Sequence, residues 1–197
     1  MKQAIVFDLE FTAWEGSMRH HWLRPGEYRE VVQIGAVKVD AASLAVLDRF
    51  EILVRPRLNP VLSPYLEKLT GIGNDAVREK GRDFVEAYDA FLAFSAGAVT
   101  SAFGRDDLVF EENLRLYGIA RPAPAFRDSR PWFGANGFDT CGVYSCDVGP
   151  KLGVPFEGQT HSALADSQSV AAGMKVLISR GATSLFAESR RTAKTLA

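Results

Sequence analysis

Two acids, one residue apart inside a short apolar run, constrain this fold more than any other feature: Ile5-Val6-Phe7-Asp8-Leu9-Glu10-Phe11-Thr12. Such a run of β-branched and aromatic residues predicts a strand. Strand side chains alternate, so Ile5, Phe7, Leu9 and Phe11 take one face and Val6, Asp8 and Glu10 the other. The two carboxylates then stand roughly 7 Å apart on one side of a central strand. Like charges on a partly buried face repel and lose hydration, so a cation must answer them or one must take a proton. On these residues alone, a strand end pointing both acids into water explains the pattern equally well.

The whole chain narrows the surroundings of that strand. Its 197 residues make one domain with room for a full core, or a core and a short tail. A net charge of −1 excludes a coat-like binder that holds nucleic acid by bulk charge, so such contacts need a local basic patch or bound metal. Cys141 and Cys146 give no disulfide framework and too few thiols for a zinc site, and read as reduced thiols. The early acids leave no long apolar signal-peptide core, and no apolar run reaches the roughly 18 residues that span a bilayer. The expectation is a soluble cytoplasmic protein without a membrane partner.

After the first strand, residues 13–30 form a polar, turn-rich excursion with Trp14, Arg19, His20, His21, Trp22, Arg24, Tyr28 and Arg29. Aromatic and basic residues mixed in this way suit a single-strand stacking surface, and equally a solvated hairpin. Strands are expected at 31–39 and 46–54, and their short connections make an antiparallel meander with the first. Helices are expected at 64–69, 75–80 and 83–95. Strand-helix alternation then follows: strand 98–103, helix 107–117, strand 125–128, helix 140–152 and helix 162–179. Residues 181–197, with Arg190, Arg191 and Lys194, read as a polar basic tail that could recruit a protein partner.

On the last helix Ala163, Val170, Ala171, Met174, Leu177 and Ile178 form a core-facing stripe, and Asp166 shares it. A carboxylate on a buried face needs a partner, whether a salt bridge, the helix N-terminus or a metal. His161 precedes that helix in Gln159-Thr160-His161-Ser162-Ala163-Leu164-Ala165-Asp166, and Ser101-Ala102-Phe103-Gly104-Arg105-Asp106-Asp107 ends a strand and opens a helix.

An Asp-x-Glu strand, an aromatic-Gly-x-x-Asp turn and a His-x-x-x-x-Asp helix start, in that order, resemble the DEDDh 3′→5′ exonucleases. The resemblance spans roughly residues 3–179. It implies an α/β, ribonuclease-H-like fold: a mixed five-stranded sheet with helices on both faces, within a domain of residues 1–180. It implies two divalent cations, Mg²⁺ or Mn²⁺, held by Asp8, Glu10, Asp107 and Asp166, with Asp8 matching the bridging acid and His161 the general base. The turn selects Asp107 and leaves Asp106 as a helix N-cap. Asp128 reads as structural, and His20 and His21 match nothing. Leu69-Thr70-Gly71-Ile72 resembles the loop that packs on terminal nucleotides, and Leu9, Phe11 and Thr12 would lie under the terminal sugar and base. Substrate contacts are therefore expected at Leu9, Phe11, Thr12, Leu69, Thr70 and Ile72.

The resulting expectation is removal of mononucleotides from single-stranded 3′ ends, RNA in preference to DNA. The alternatives are a DNA exonuclease or proofreading subunit, and a module that binds RNA ends without cutting. The oligomeric state stays open.

Overall fold

A computed structural model of the chain describes residues 2–187. Five strands form one mixed sheet: β1 (Gln3–Phe11), β2 (Val31–Asp40), β3 (Val46–Leu53), β4 (Val99–Ala102) and β5 (Phe126–Asp128), in the spatial order β3-β2-β1-β4-β5. The first three pair antiparallel as the expected meander, while β4 joins β1, and β5 joins β4, in parallel. The apolar run thus occupies the centre, and residues Ala4 to Leu9 of β1 are buried throughout.

The alternation of β1 sorts its side chains between two cores. Ile5, Phe7 and Leu9 face α4 (Phe84–Ser95) and α5 (Asp106–Leu116), packing with Phe84, Tyr88, Phe91 and Phe110. Ala4 and Val6 face the other side, against Val170, Ala171 and Met174 of α8 (Ala163–Ser179) and Val148 of α7 (Ser145–Lys151). Asp8 and Glu10 share this second face. Two short helices, α2 (Pro64–Thr70) and α3 (Asn74–Lys80), cover a smaller cluster of Val32, Leu62, Leu66, Ile72 and Val77. This is the ribonuclease-H-like arrangement, with helices on both faces of the sheet.

Two short helices escaped the sequence pattern. One is α1 (Ser17–His20), inside the excursion. The other is α6 (Arg130–Ala135), which Pro131 opens at a position where its missing N–H costs nothing. The helix expected over 140–152 begins only at Ser145, because Gly142 takes φ 64° and forces a turn ahead of it. Past α8 the chain packs back: the Trp132 indole donates to the Thr183 carbonyl at 2.9 Å, and Phe186 is buried. The basic residues Arg190, Arg191 and Lys194 of the expected tail lie outside the described residues.

Candidate active site

β1 runs further than its parallel neighbour β4, whose register with it stops at Val6↔Ser101. The last turns of β1 are therefore open on that side, beyond the carboxyl ends of two parallel strands, where α/β sheets bind ligands. The Leu9 amide, left without a strand partner there, donates to Asp106 Oδ2 at 3.2 Å. A register shift between Glu10 and Phe11 bends the end of β1, a device common next to active sites.

On the opposite side the first residues of α8 rest on β2. Gly35 pairs with Asp8 across the sheet, and a Cβ on Gly35 would stand 2.0 Å from the Leu164 amide nitrogen. Only glycine lets the helix come this close. Gln33, paired with Glu10, accepts from the Ala163 amide at 2.9 Å and so caps a helix whose own N-cap Ser162 makes no side-chain bond. This docking buries Asp166, which is 3 % exposed, on the face that carries Asp8 and Glu10.

Asp8, Glu10, Asp106, His161 and Asp166 line one cleft, a cavity of about 180 Å³. Candidate ligand atoms of Glu10, His161 and Asp166 all lie within 4.8 Å of one another. The Ser145 hydroxyl donates to Asp8 Oδ1 at 2.7 Å, fixing that carboxylate from the first turn of α7. Sequence reasoning passed over Ser145, because a lone serine at a helix start carries no spacing signal.

The third acid moves by one residue. Asp107, expected in the cluster, turns out of the cleft and pairs with Arg105, Nε–Oδ1 2.8 Å. Asp106 enters instead, as the first residue of α5 rather than its N-cap, which is Arg105. Asp106 lies three, four and seven residues before buried Val109, Phe110 and Asn113, at the centre of the stripe, whereas Asp107 lies at its edge, three and seven residues before Phe110 and Leu114.

The substrate expectations divide too. Leu9, Phe11 and Leu69 line the cleft; Thr12, Thr70 and Ile72 do not. Thr12 is buried and closes the neck of the excursion, bonding to the Tyr28 carbonyl and accepting from the Glu30 amide at 3.0 Å. The Thr70 hydroxyl donates to the Leu66 carbonyl at 2.9 Å and accepts from the Ile72 amide at 3.1 Å, shaping the end of α2. Ile72 is core.

The electrostatics of the cluster are unfavourable as it stands. Burial raises the Asp8 carboxyl well above its ordinary value and Asp166 raises it further, with the Ser145 hydroxyl pulling the other way. Glu10 is raised by burial and by Asp8, Asp166 and Asp106. Asp106 is raised by burial and Asp8, against the Leu9 amide. Asp166 is pushed up to about 7, chiefly by burial. None of the ion pairs among the described residues involves any of these four acids. Asp166 Oδ1 is buried with no hydrogen-bond partner. Converging hard oxygens and an orphaned carboxylate oxygen fit divalent ions such as Mg²⁺ or Mn²⁺.

His161 sits at the cleft wall with φ 57°, its ring 6.0 Å from that of Tyr144. Burial lowers its pKa below the ordinary 6.5, opposed by the nearby Asp147. The imidazole is therefore neutral at pH 7 and able to accept a proton.

Residues 5–173 match the RNase_T exonuclease family. A stretch of 75 residues, 38% of this chain, is 31% identical to ERI1 exoribonuclease 2 of Homo sapiens, and covers 10% of that protein's length. Among solved structures, one describing 3′-end-specific recognition of a histone mRNA stem-loop by a 3′-exonuclease superposes with a TM-score of 0.79 at 21% identity, over 93% of this chain and 84% of that one. The nuclease domain of 3′hExo, a DEDDh family member bound to rAMP, gives 0.78 at 21% identity, over 95% and 97%. Cell-death related nuclease 4 gives 0.74 at 18% identity, over 92% and 65%.

Proposed function

The chain belongs to the RNase_T exonuclease family, and from that premise we propose that it removes mononucleotides from single-stranded 3′ ends, RNA in preference to DNA, by a two-metal mechanism. One observation carries the reading: four carboxylates and a histidine converge in one cleft among apolar side chains, and none of the four acids is in an ion pair among the described residues. Acids that repel each other in this way would also repel a phosphodiester, so the cluster is useful for hydrolysis only with cations bound.

Asp8, Glu10, Asp106 and Asp166 would hold the ions. The chemistry the ions supply is activation of a water and stabilisation of charge on the leaving oxygen. Ser145 keeps Asp8 oriented, and Gln33 and Gly35 let α8 deliver Asp166. His161 takes the proton from the attacking water on its unprotonated ring nitrogen. The new bond joins the water oxygen to phosphorus, and the bond from phosphorus to the 3′-oxygen of the preceding nucleotide breaks. The leaving 3′-oxygen takes a proton from solvent, so a nucleoside 5′-monophosphate leaves and the strand keeps a 3′-hydroxyl.

The preference for RNA draws support from the relatives whose descriptions name an exoribonuclease, a histone mRNA stem-loop and rAMP. A ribose 2′-hydroxyl also offers a contact that deoxyribose lacks. The test offers RNA and DNA oligonucleotides, labelled at the 5′ or 3′ end, with Mg²⁺, Mn²⁺ or chelator. The 5′-labelled RNA should shorten one nucleotide at a time and the 3′-labelled RNA should release its label at once. Faster decay of DNA would favour the DNA-exonuclease alternative, internal cuts would exclude an exonuclease, and binding without cutting would leave the end-binding module.

The histidine has its own test. His161→Ala should lose on the order of 100-fold or more in turnover while Mn²⁺ affinity stays within a few-fold. Because its pKa is lowered, the wild-type acidic limb should fall below pH 6.5. Near wild-type turnover in the variant would remove the histidine from the mechanism.

A further inference from the structure

The excursion that follows β1 is unexplained by the acid cluster, yet it forms one wall of the same cleft. Trp14, Met18 and Trp22 line the cavity from the excursion, and Tyr65, Leu66 and Leu69 of α2 line it from across. Between these two apolar walls the slot runs on continuously from the acids. It is held firmly for a loop. Ser17 is buried and its hydroxyl accepts from the Trp14 amide at 2.8 Å and donates to Glu27 at 3.0 Å. The Trp22 amide donates to the Ser17 carbonyl at 3.0 Å, and the Trp22 indole to the Thr12 carbonyl at 2.9 Å.

Trp22 has further support from its neighbours. Its ring lies 5.5 Å from Phe11, and the Arg29 guanidinium sits 5.6 Å from the Trp22 ring and 5.9 Å from Phe11. Arg29 in turn is forked onto Glu112 of α5, the helix that begins with Asp106. Arg29 therefore braces the wall instead of reaching for phosphate. The backbone at Trp22 takes φ 54°, a left-handed conformation that a bulky residue adopts only when its surroundings hold it there. Met18 is 63 % exposed at the rim, ready to contact whatever enters.

We propose that residues 14–22 form a rigid roof that admits only unpaired 3′ ends, with Trp22 as the specificity-determining wall against which a terminal base stacks. The occupant follows from the slot's chemistry. Aromatic and aliphatic side chains make up most of its walls, and it opens onto the cluster that would hold the scissile phosphate. A nucleobase fits such walls because every base has a π-face. A base pair is far wider than one base, and a duplex end would meet the roof on one side and α2 on the other. This inference rests on the exonuclease reading for the identity of the strand, but its test does not depend on cutting.

The probe is a 5′-fluorescein-labelled RNA trinucleotide with phosphorothioate linkages, titrated with the full chain in Ca²⁺ and followed by anisotropy. A blunt-ended RNA duplex of the same 3′ sequence is the comparison. The wild type should bind the single strand at least about 10-fold more tightly than the duplex end. Trp22→Ala should weaken single-strand binding by about 10-fold or more, the scale of one lost stacking partner. Trp22→Phe should stay within about 3-fold of wild type. If Trp22→Ala does not fold, Trp22→Leu keeps an apolar side chain without the π-face and should show the same loss. Equal binding of strand and duplex end, or Trp22→Ala and Trp22→Leu binding as well as wild type, would overturn the roof. Single-strand binding that depends on Trp22, in a protein that cuts nothing under any metal, would support the roof while removing the exonuclease reading.

Discussion

Asp8→Asn is expected to abolish hydrolysis and, in the metal-free protein at pH 8, to raise the melting temperature by about 4–8 °C. Both effects come from removing one negative charge without changing shape. Asn keeps an oxygen that accepts from the Ser145 hydroxyl as Asp8 Oδ1 does at 2.7 Å, so the end of β1 and the start of α7 stay joined. What disappears is a ligand charge and the repulsion it exerts on Glu10 and Asp106. A relief of roughly 2 kcal/mol gives that shift for a domain of this size.

The sign with pH follows from the direction of the shifts. Asp8, Glu10, Asp106 and Asp166 all have native pKa values raised above their unfolded ones, Asp166 to about 7. Between the unfolded values near 4 and the native ones, the folded protein binds more protons than the unfolded chain. The cluster's contribution to stability therefore declines as pH rises through that window. The metal-free wild type should gain from acidification from pH 8 to 5 on this account, and the advantage of Asp8→Asn should shrink over the same range. Adding Mn²⁺ should reverse the order at pH 8, since cations stabilise the wild type more than the variant. Thermal melts in chelator and in Mn²⁺, with calorimetric Mn²⁺ titrations, check each part. Undiminished Mn²⁺ binding in Asp8→Asn would remove Asp8 from the site, and a variant less stable than wild type in chelator would show that the acids are not opposed.

The parts of this molecule legible in its sequence are those where a local period reports a global environment. The strand alternation around Asp8 and Glu10 places both on the face that α8 covers, as the period of two requires. Asp166 could be placed on the buried stripe of α8 because Ala163 and Val170 flank it at helical spacing. The meander followed from short connections. What the sequence hid depends on approach between distant segments. Nothing in the run around Gly35 announces that a helix N-terminus will rest on it, and Gln33 looks like any polar strand residue until Ala163 arrives. Thr12 and Thr70 sit beside cleft residues in sequence, but their hydroxyls are used up by nearby backbone groups. The roof is hidden in the same way. Its composition suits aromatic and basic contacts to a strand and equally a solvated hairpin, whereas the structure pairs Arg29 with Glu112 and sets Trp22 in the lining of the cleft.

The neighbouring acids at the start of α5 give the sharpest single-residue contrast in the protein. Asp106→Ala is expected to reduce turnover by on the order of 1000-fold or more, and Asp107→Ala by no more than a few-fold. The nearby Asp8 raises the Asp106 carboxyl, and Asp106 Oδ2 accepts from the Leu9 amide at 3.2 Å, so on the two-metal reading its loss would take away a ligand charge and free an amide in the cleft. Asp107 is held by Arg105, whose side chain is 55% exposed. Such surface pairs contribute about 0–1 kcal/mol, so Asp107→Ala should leave folding and Mn²⁺ affinity nearly unchanged. Asp106→Asn separates charge from shape, because it keeps an acceptor for the Leu9 amide and should still lose the metal. Steady-state rates on labelled RNA, paired with Mn²⁺ titrations of all three variants, decide the assignment. Loss confined to Asp107→Ala would restore the aromatic-Gly-x-x-Asp spacing as the better guide and would require α5 to be rotated by about 100° from the orientation described here. Helix α5 buries Val109, Phe110, Asn113 and Leu114, and Asn113 alone bonds the Arg29 carbonyl at 2.7 Å and the Val31 amide at 3.0 Å. A rotation of that size would expose this face and break both bonds, so the packing of α5 keeps Asp106, and not Asp107, in the cleft.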